Sequence, residues 1–146
     1  MLKLQIQMSL LRLFDILFSL IFLLALFPFF LIISLFVFID GLPIIYVSSR
    51  VGKNGIMFKM YKFRSMKVDK SKKLKDIDRL NKLGIFLRRT SLDELPQLIN
   101  VLLGNMSLVG PRSLPIEIEK KKLNKYIKFR RSINPGITVL SQIHYA

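Results

Sequence analysis

A chain of 146 residues is about the size of one domain. It has no cysteine and a single histidine, His144, which excludes disulfides, thiolate chemistry and metal sites of the His/Cys type. Lysine and arginine number 24 against nine acids, a formal charge of +15, so the partners to look for are anionic.

The charge is unevenly spread. Of the basic residues only Lys3 and Arg12 fall in the first 40 positions, beside Asp15 and Asp40. From Ile16 to Ile39 the chain runs 24 residues without a charge. At ~1.5 Å per residue that is long enough to cross a hydrocarbon core of ~30 Å. The run is too long for a signal peptide and lacks a small-residue cleavage site, so it is expected to be retained. Pro28 interrupts it. A proline there removes a helical hydrogen bond, and transmembrane helices tolerate it as a kink. A straight span and a re-entrant helix returning to its own side both remain open on these grounds. The basic excess beyond residue 40 places the following domain on the cytoplasmic side of the membrane. The expected organisation is a membrane-inserted helix over 1–40, broken at Pro28, and a membrane-associated domain over 41–146.

Beyond Asp40–Gly41, residues 44–48 are β-branched and aromatic, "GKNG" is a turn, and 56–63 is apolar again, which predicts a β-hairpin. Residues 67–73 form a basic polar loop. Leu74, Ile77, Leu80 and Leu83 recur at helical spacing up to Gly84 and predict an amphipathic basic helix. A second helix is expected from about Ser91, closed by Gly104. "NMSLVGPRSLP" reads as a loop, residues 116–131 as a third helix, and "ITVLSQIHY" as a strand. The fold class is α+β: a re-entrant or spanning membrane helix, then a small, mostly helical basic domain with one β-hairpin.

The acid pair Asp93–Glu94 stands out in so basic a chain. Ser91-Leu92-Asp93-Glu94 fits the S-x-x-E capping box, with Ser91 capping a helix and Glu94 reaching back. Pro96 then falls where its nitrogen should already donate, so the turn must be kinked or the cap must sit later. The chemical alternative is that two carboxylates among cations stay ionised and share a hard cation such as Mg²⁺. A carboxylate can also attack phosphorus, splitting one displacement into two. Arg88, Arg89, Lys62, Arg64 and Arg112 are candidate phosphate partners, arginine's planar fork suiting phosphate oxygens.

Three stretches, "RVGKNGIMFKMYKFRSM", "LRRTSLDELPQLINVLLGNMSLVGPRS" and "NPGIT", occur in an order that resembles the bacterial monotopic phosphoglycosyl transferases, or bacterial sugar transferases. The front, "RLFDILFSLIFLLALFPFF", resembles that family's membrane entry, with Arg12, Phe14 and Asp15 in matching places. The resemblance runs from Arg12 to Thr138. It implies transfer of a sugar 1-phosphate from a UDP-sugar to polyprenyl (undecaprenyl) phosphate, giving the polyprenyl diphosphate-sugar and UMP. It further implies Asp93 as nucleophile and Mg²⁺ ligand, Glu94 as its partner, and Lys62, Arg64, Arg88 and Arg112 on phosphates. Gly110 and Pro111 would shape the loop presenting Arg112, with Gly136 beside the substrate. Arg12, Asp15 and Pro28 would belong to a re-entrant membrane element. The partners implied are the UDP-sugar, polyprenyl phosphate and membrane lipid.

The sequence departs from the family pattern in three places. Phe27 precedes Pro28 where serine is usual, and Ser113 follows Arg112 where proline is common. "VLSQIHYA" stands where Gly-Trp-Ala-Gln-Val-Asn-Gly-Arg is typical, only Gln142 matching. The expectation is a C-terminally shortened member, with an inactive membrane-docked remnant or accessory partner as the alternative. Nucleic acid is set aside as a partner, since no nucleic-acid-binding motif accompanies the charge. Neither the sugar, the glycan pathway nor the oligomeric state is legible.

Overall fold

The computed structural model describes residues 2–68, 78–116 and 130–138. The apolar front forms two helices, α1 (Leu2–Ala25) and α2 (Phe27–Ile39). They are separated at Leu26, two residues before Pro28 rather than at it. Pro28 lies in the first turn of α2, where a missing N–H leaves nothing unpaired. The joint stays hydrogen-bonded, Leu26 N–H donating to Phe22 and Phe30 N–H to Leu26. Among the described residues only α1 is long and apolar enough to cross a membrane. At ~1.5 Å per residue α2 is roughly 20 Å long, short of a ~30 Å hydrocarbon core.

Both arms come back to the same domain. Arg12 and Asp15 of α1 bind its backbone, and Ile33 and Val37 of α2 pack on its Phe63 and Leu87. Around the joint, Leu24, Phe27 and Phe29 leave more than half of their surface exposed. Such a density of bare aromatic and aliphatic side chains belongs against lipid.

The expected hairpin is present as β1 (Ile45–Val51) and β2 (Met57–Phe63), antiparallel in the register Ile45 to Phe63 and Val51 to Met57. Asn54 (φ 56°) and Gly55 (φ 78°) take the left-handed conformations that asparagine and glycine adopt most cheaply. Three further strands lie in segments read as loop or as longer strand: β3 (Ser107–Val109), β4 (Leu114–Pro115) and β5 (Gly136–Thr138). β4 adds to β1, giving the order β2-β1-β4, and β3 pairs in parallel with β5. Two- and three-residue strands carry too little alternation to register as a pattern.

Two helical expectations need correction. Gly84 does not end a helix; it lies in the first turn of α3 (Lys82–Arg89), whose cap is Asn81. A β-carbon at 84 would stand 2.0 Å from the Ser65 carbonyl oxygen, so glycine is there for close approach. The Ser91 capping box does not form either. Ser91 is left-handed (φ 57°) and makes no capping bond. A 3₁₀ turn, Leu92–Glu94, follows, and α4 (Gln97–Leu102) starts after Pro96. Proline thus sits where a helix needs no donor, the later cap that its position demanded. Gly104 (φ 86°) does close that helix. Leu74, Ile77, most of the 67–73 loop, most of the third helix, and the tail with Gln142 and His144 lie outside the described residues.

The core has two parts. Phe58, Met60, Val101 and Met106 pack the sheet against α4 within the domain. Ile33, Val37, Phe63 and Leu87 form a seam joining α2 to the domain, with the Phe30 and Phe63 rings 5.5 Å apart.

Candidate active site

Asp93 and Glu94 occupy the 3₁₀ turn between α3 and α4, and the end of β2 lies against that turn. Strand alternation turns Lys62 to the same face as Phe58 and Met60, and its Nζ meets Glu94 Oε1 at 2.5 Å. Asp93 is 7% exposed. Burial pushes its carboxyl above the ordinary aspartate range, Lys62 and Arg88 pull it down, and neighbouring Glu94 pushes it up. The two acids are therefore unequal. Glu94 is held by a lysine, whereas Asp93 is a sparsely hydrated carboxylate among cations.

A cleft of about 380 Å³ opens on the Glu94 side of the pair, lined by Lys62, Glu94, Gln97, Arg112 and Gly136 among others, with Asp93 one residue behind this lining. The structure thus brings together Lys62, Glu94, Arg112 and Gly136 from four separate stretches of sequence. Arg88, at the end of α3, donates from Nε to Ser65 Oγ at 2.9 Å and lies near enough to Asp93 to bias its proton.

Other expected site residues have different work. Arg64 is buried and its Nη2 donates to the carbonyls of Val37 (3.2 Å) and Gly41 (2.7 Å) and to Asp40 Oδ2 (3.2 Å). It caps the end of α2 and does not line the cleft beside Glu94. Gly110 and Gly136 face each other: a β-carbon on Gly136 would lie 2.0 Å from Gly110 N, and one on Gly110 2.6 Å from the Asn134 carbonyl. Their lack of side chains lets β3 and β5 come together, and Gly110 does not line the cleft. The Pro111 carbonyl accepts from Gly136 N–H at 3.0 Å. Pro111 and Arg112 border a second hollow with Arg130 and Arg131. Sequence reasoning missed Gln97, which is 3% exposed and lines the cleft. Its place three to four residues beyond the acid pair was the available signal.

The residues expected at the membrane act as ties. Arg12 donates to the Val101 (2.6 Å) and Leu102 (2.9 Å) carbonyls at the end of α4. Asp15 accepts from Ser107 Oγ (2.7 Å) and Leu108 N–H (3.0 Å).

Among the described residues no group of three or more His, Cys, Asp or Glu could cage a metal. Magnesium, however, usually keeps several waters and takes one or two carboxylates plus substrate phosphates. Asp93, buried but beside an open cleft, fits that mode of binding.

The family model for bacterial sugar transferases matches residues 6–146. The chain belongs to that family. Among the chain's relatives is the galactosyl transferase CpsE of Streptococcus agalactiae, 47% identical over 120 residues, 71% of this chain and 26% of the relative. A putative undecaprenyl-phosphate N-acetylgalactosaminyl 1-phosphate transferase of Bacillus subtilis is 43% identical over 131 residues, covering 86% of this chain and 73% of the relative. The UDP-glucose:undecaprenyl-phosphate glucose-1-phosphate transferase of Escherichia coli is 44% identical over 109 residues, 70% of this chain and 24% of the relative. The chain therefore spans about a quarter of two of these relatives and nearly three quarters of the third.

Proposed function

We propose that this sugar transferase moves a sugar 1-phosphate from a UDP-sugar to polyprenyl phosphate at the cytoplasmic face of the inner membrane, initiating an exopolysaccharide or lipopolysaccharide glycan. The observation that carries the reading is the pairing of a buried, cation-flanked Asp93 with a Lys62-held Glu94 at the edge of an arginine-lined cleft.

An Asp93 carboxylate oxygen attacks the phosphorus bearing the sugar, the bond to the bridging oxygen breaks, and UMP leaves with that electron pair. An oxygen of polyprenyl phosphate then attacks the same phosphorus and the carboxylate departs, giving the polyprenyl diphosphate-sugar and free Asp93. Lys62, Arg88 and Arg112 offset the charge of the diphosphate, and the partial exclusion of water strengthens their effect. Glu94 holds the Lys62 ammonium at the edge of the cleft. Magnesium, held by Asp93, would supply further charge neutralisation on the phosphates when bound. The return of both hydrophobic arms to one domain supports a re-entrant, monotopic anchor. Such an anchor keeps the cleft near the headgroups, where a lipid phosphate arrives.

The test is UMP release by the purified chain in detergent with Mg²⁺, polyprenyl phosphate and a panel of UDP-sugars, beside Asp93→Asn. Release abolished by the substitution supports the transferase. Release unaffected by it removes Asp93 as nucleophile, and silence from folded protein across the panel rejects the activity.

A further inference from the structure

Asn100 is wholly buried in α4, and its side chain binds backbone alone. Its Nδ2 donates to the Lys59 carbonyl at 2.7 Å, and its Oδ1 accepts from Tyr61 N–H at 3.0 Å. Those two groups flank Met60 and point to the same side of β2. That side is a sheet edge, since the strand order is β2-β1-β4. The amide therefore takes the place of a missing neighbouring strand, meeting a donor and an acceptor that would otherwise be buried unpaired. The Asn100 carbonyl also accepts from Asn105 and Met106 N–H, so one residue ties α4, β2 and the turn into β3.

The clasp sits one residue before Lys62 on β2 and six beyond Glu94 on the other segment. α4 has only six residues and no side-chain cap, too short to hold its position by internal bonds. Apolar contacts such as Val101 on Met60 attract without fixing register, whereas a two-point amide clasp fixes both translation and rotation. We infer that Asn100 is a positioning residue: by clasping the edge of β2 it sets the register of α4 in which Glu94 reaches Lys62 beside Asp93. The kinetic consequence rests on the transferase reading; the geometric one does not.

Two measurements on the full chain in detergent separate them. In Asn100→Leu, kcat for UMP release should fall by about 10- to 100-fold, as expected for displaced catalytic groups. KM for the UDP-sugar should stay within about two-fold of wild type, because the cleft cations are retained. Residue-resolved acylation by an amine-reactive ester, read by mass spectrometry against exposed Lys67, should show Lys62 becoming several-fold more reactive, roughly in line with loss of its charge-assisted bond. Asn54→Ala, which strains the left-handed turn at the far end of the hairpin from Lys62, serves as the control for general loosening and should leave Lys62 acylation unchanged.

Unchanged Lys62 acylation in folded Asn100→Leu overturns the inference, as does an equal rise in Asn54→Ala. Absence of transferase activity in the wild type defeats the transferase reading alone, and acylation still decides the placement. Where Asn100→Leu does not fold, Asn100→Asp keeps the acceptor for Tyr61 N–H and loses the donor to Lys59. A smaller rise in Lys62 acylation then supports the clasp, and none overturns it.

Discussion

Arg12 and Arg64 each cap a helix end across the boundary between the hydrophobic arms and the domain, in opposite directions. Arg12, from α1, reaches the last carbonyls of the domain's α4. Arg64, from the domain, reaches the last carbonyls of α2. A guanidinium is well suited to both posts, since each helix end carries unpaired carbonyls and partial negative charge. Arg64→Met should therefore lower stability by roughly 3 kcal/mol, the scale for stripping a buried cation from its acceptors. Thermal unfolding in micelles measures the loss, and KM for the nucleotide sugar should not move. A raised KM at unchanged stability would return Arg64 to the substrate.

Lys62 and Glu94 offer a test by graded substitution. Lys62→Met removes both the cleft cation and the partner of Glu94, and kcat should fall by about 10²- to 10³-fold. Glu94→Gln keeps a group that Lys62 can donate to, so its loss should be clearly smaller. Steady-state kinetics at saturating polyprenyl phosphate distinguishes the two, and equal losses would mean that the bond itself does not matter.

Gly84→Ala should act against ordinary helix propensity. In an exposed helix the change favours folding by about 1 kcal/mol. Here the new methyl would meet the Ser65 carbonyl at 2.0 Å, and either α3 or the strand exit must move. The expected result is a lower unfolding midpoint. Because Ser65 also holds Arg88, UMP release should fall with it. A stabilised Gly84→Ala protein would contradict the packing described.

Asp93 predicts opposite pH effects on activity and on stability. Its carboxyl is pushed up by burial, so the ionised form that the proposed attack requires appears only as pH rises through a value above the ordinary carboxylate range. The rate should rise along that limb. For stability the sign is reversed. A raised folded pKa favours the folded state while the group is protonated, and that contribution fades as pH climbs through the raised value. Asp93→Asn should thus unfold at a higher temperature than wild type at neutral pH with a metal chelator present. The difference should vanish below about pH 4, where both side chains are neutral.

The legible parts of this fold were those written in short-range pattern: the apolar front, the Asn54–Gly55 hairpin, the stop at Gly104, and the acid pair with Lys62 and Arg112. The bonds of Arg64 to a helix end were not legible, because a cation near other cations looks the same in sequence whether it faces a phosphate or a helix end. Which it faces depends on α2 returning to β2 across more than 20 positions. Gly84, Gly110 and Gly136 carried a signal for tight turns or helix ends, yet each is required by a backbone distant in sequence. The capping box at Ser91 met its template in residue type but not in conformation, because Pro96 places the helix start later. β3, β4 and β5 were too short to show alternation at all.

Asp15 has a consequence for how the protein meets a bilayer. It is fixed to β3 by Ser107 and Leu108, three residues along α1 from the Arg12 tie. With α2 sealed to Phe63 and Leu87 at the other end, the hydrophobic wedge cannot slide relative to the cleft. The height of Asp93 above the lipid is then a constant of the protein, and a thicker or thinner bilayer must deform around the wedge. Membrane thickness would change how strongly the protein partitions between lipid regions, not the distance that separates Asp93 from the headgroups.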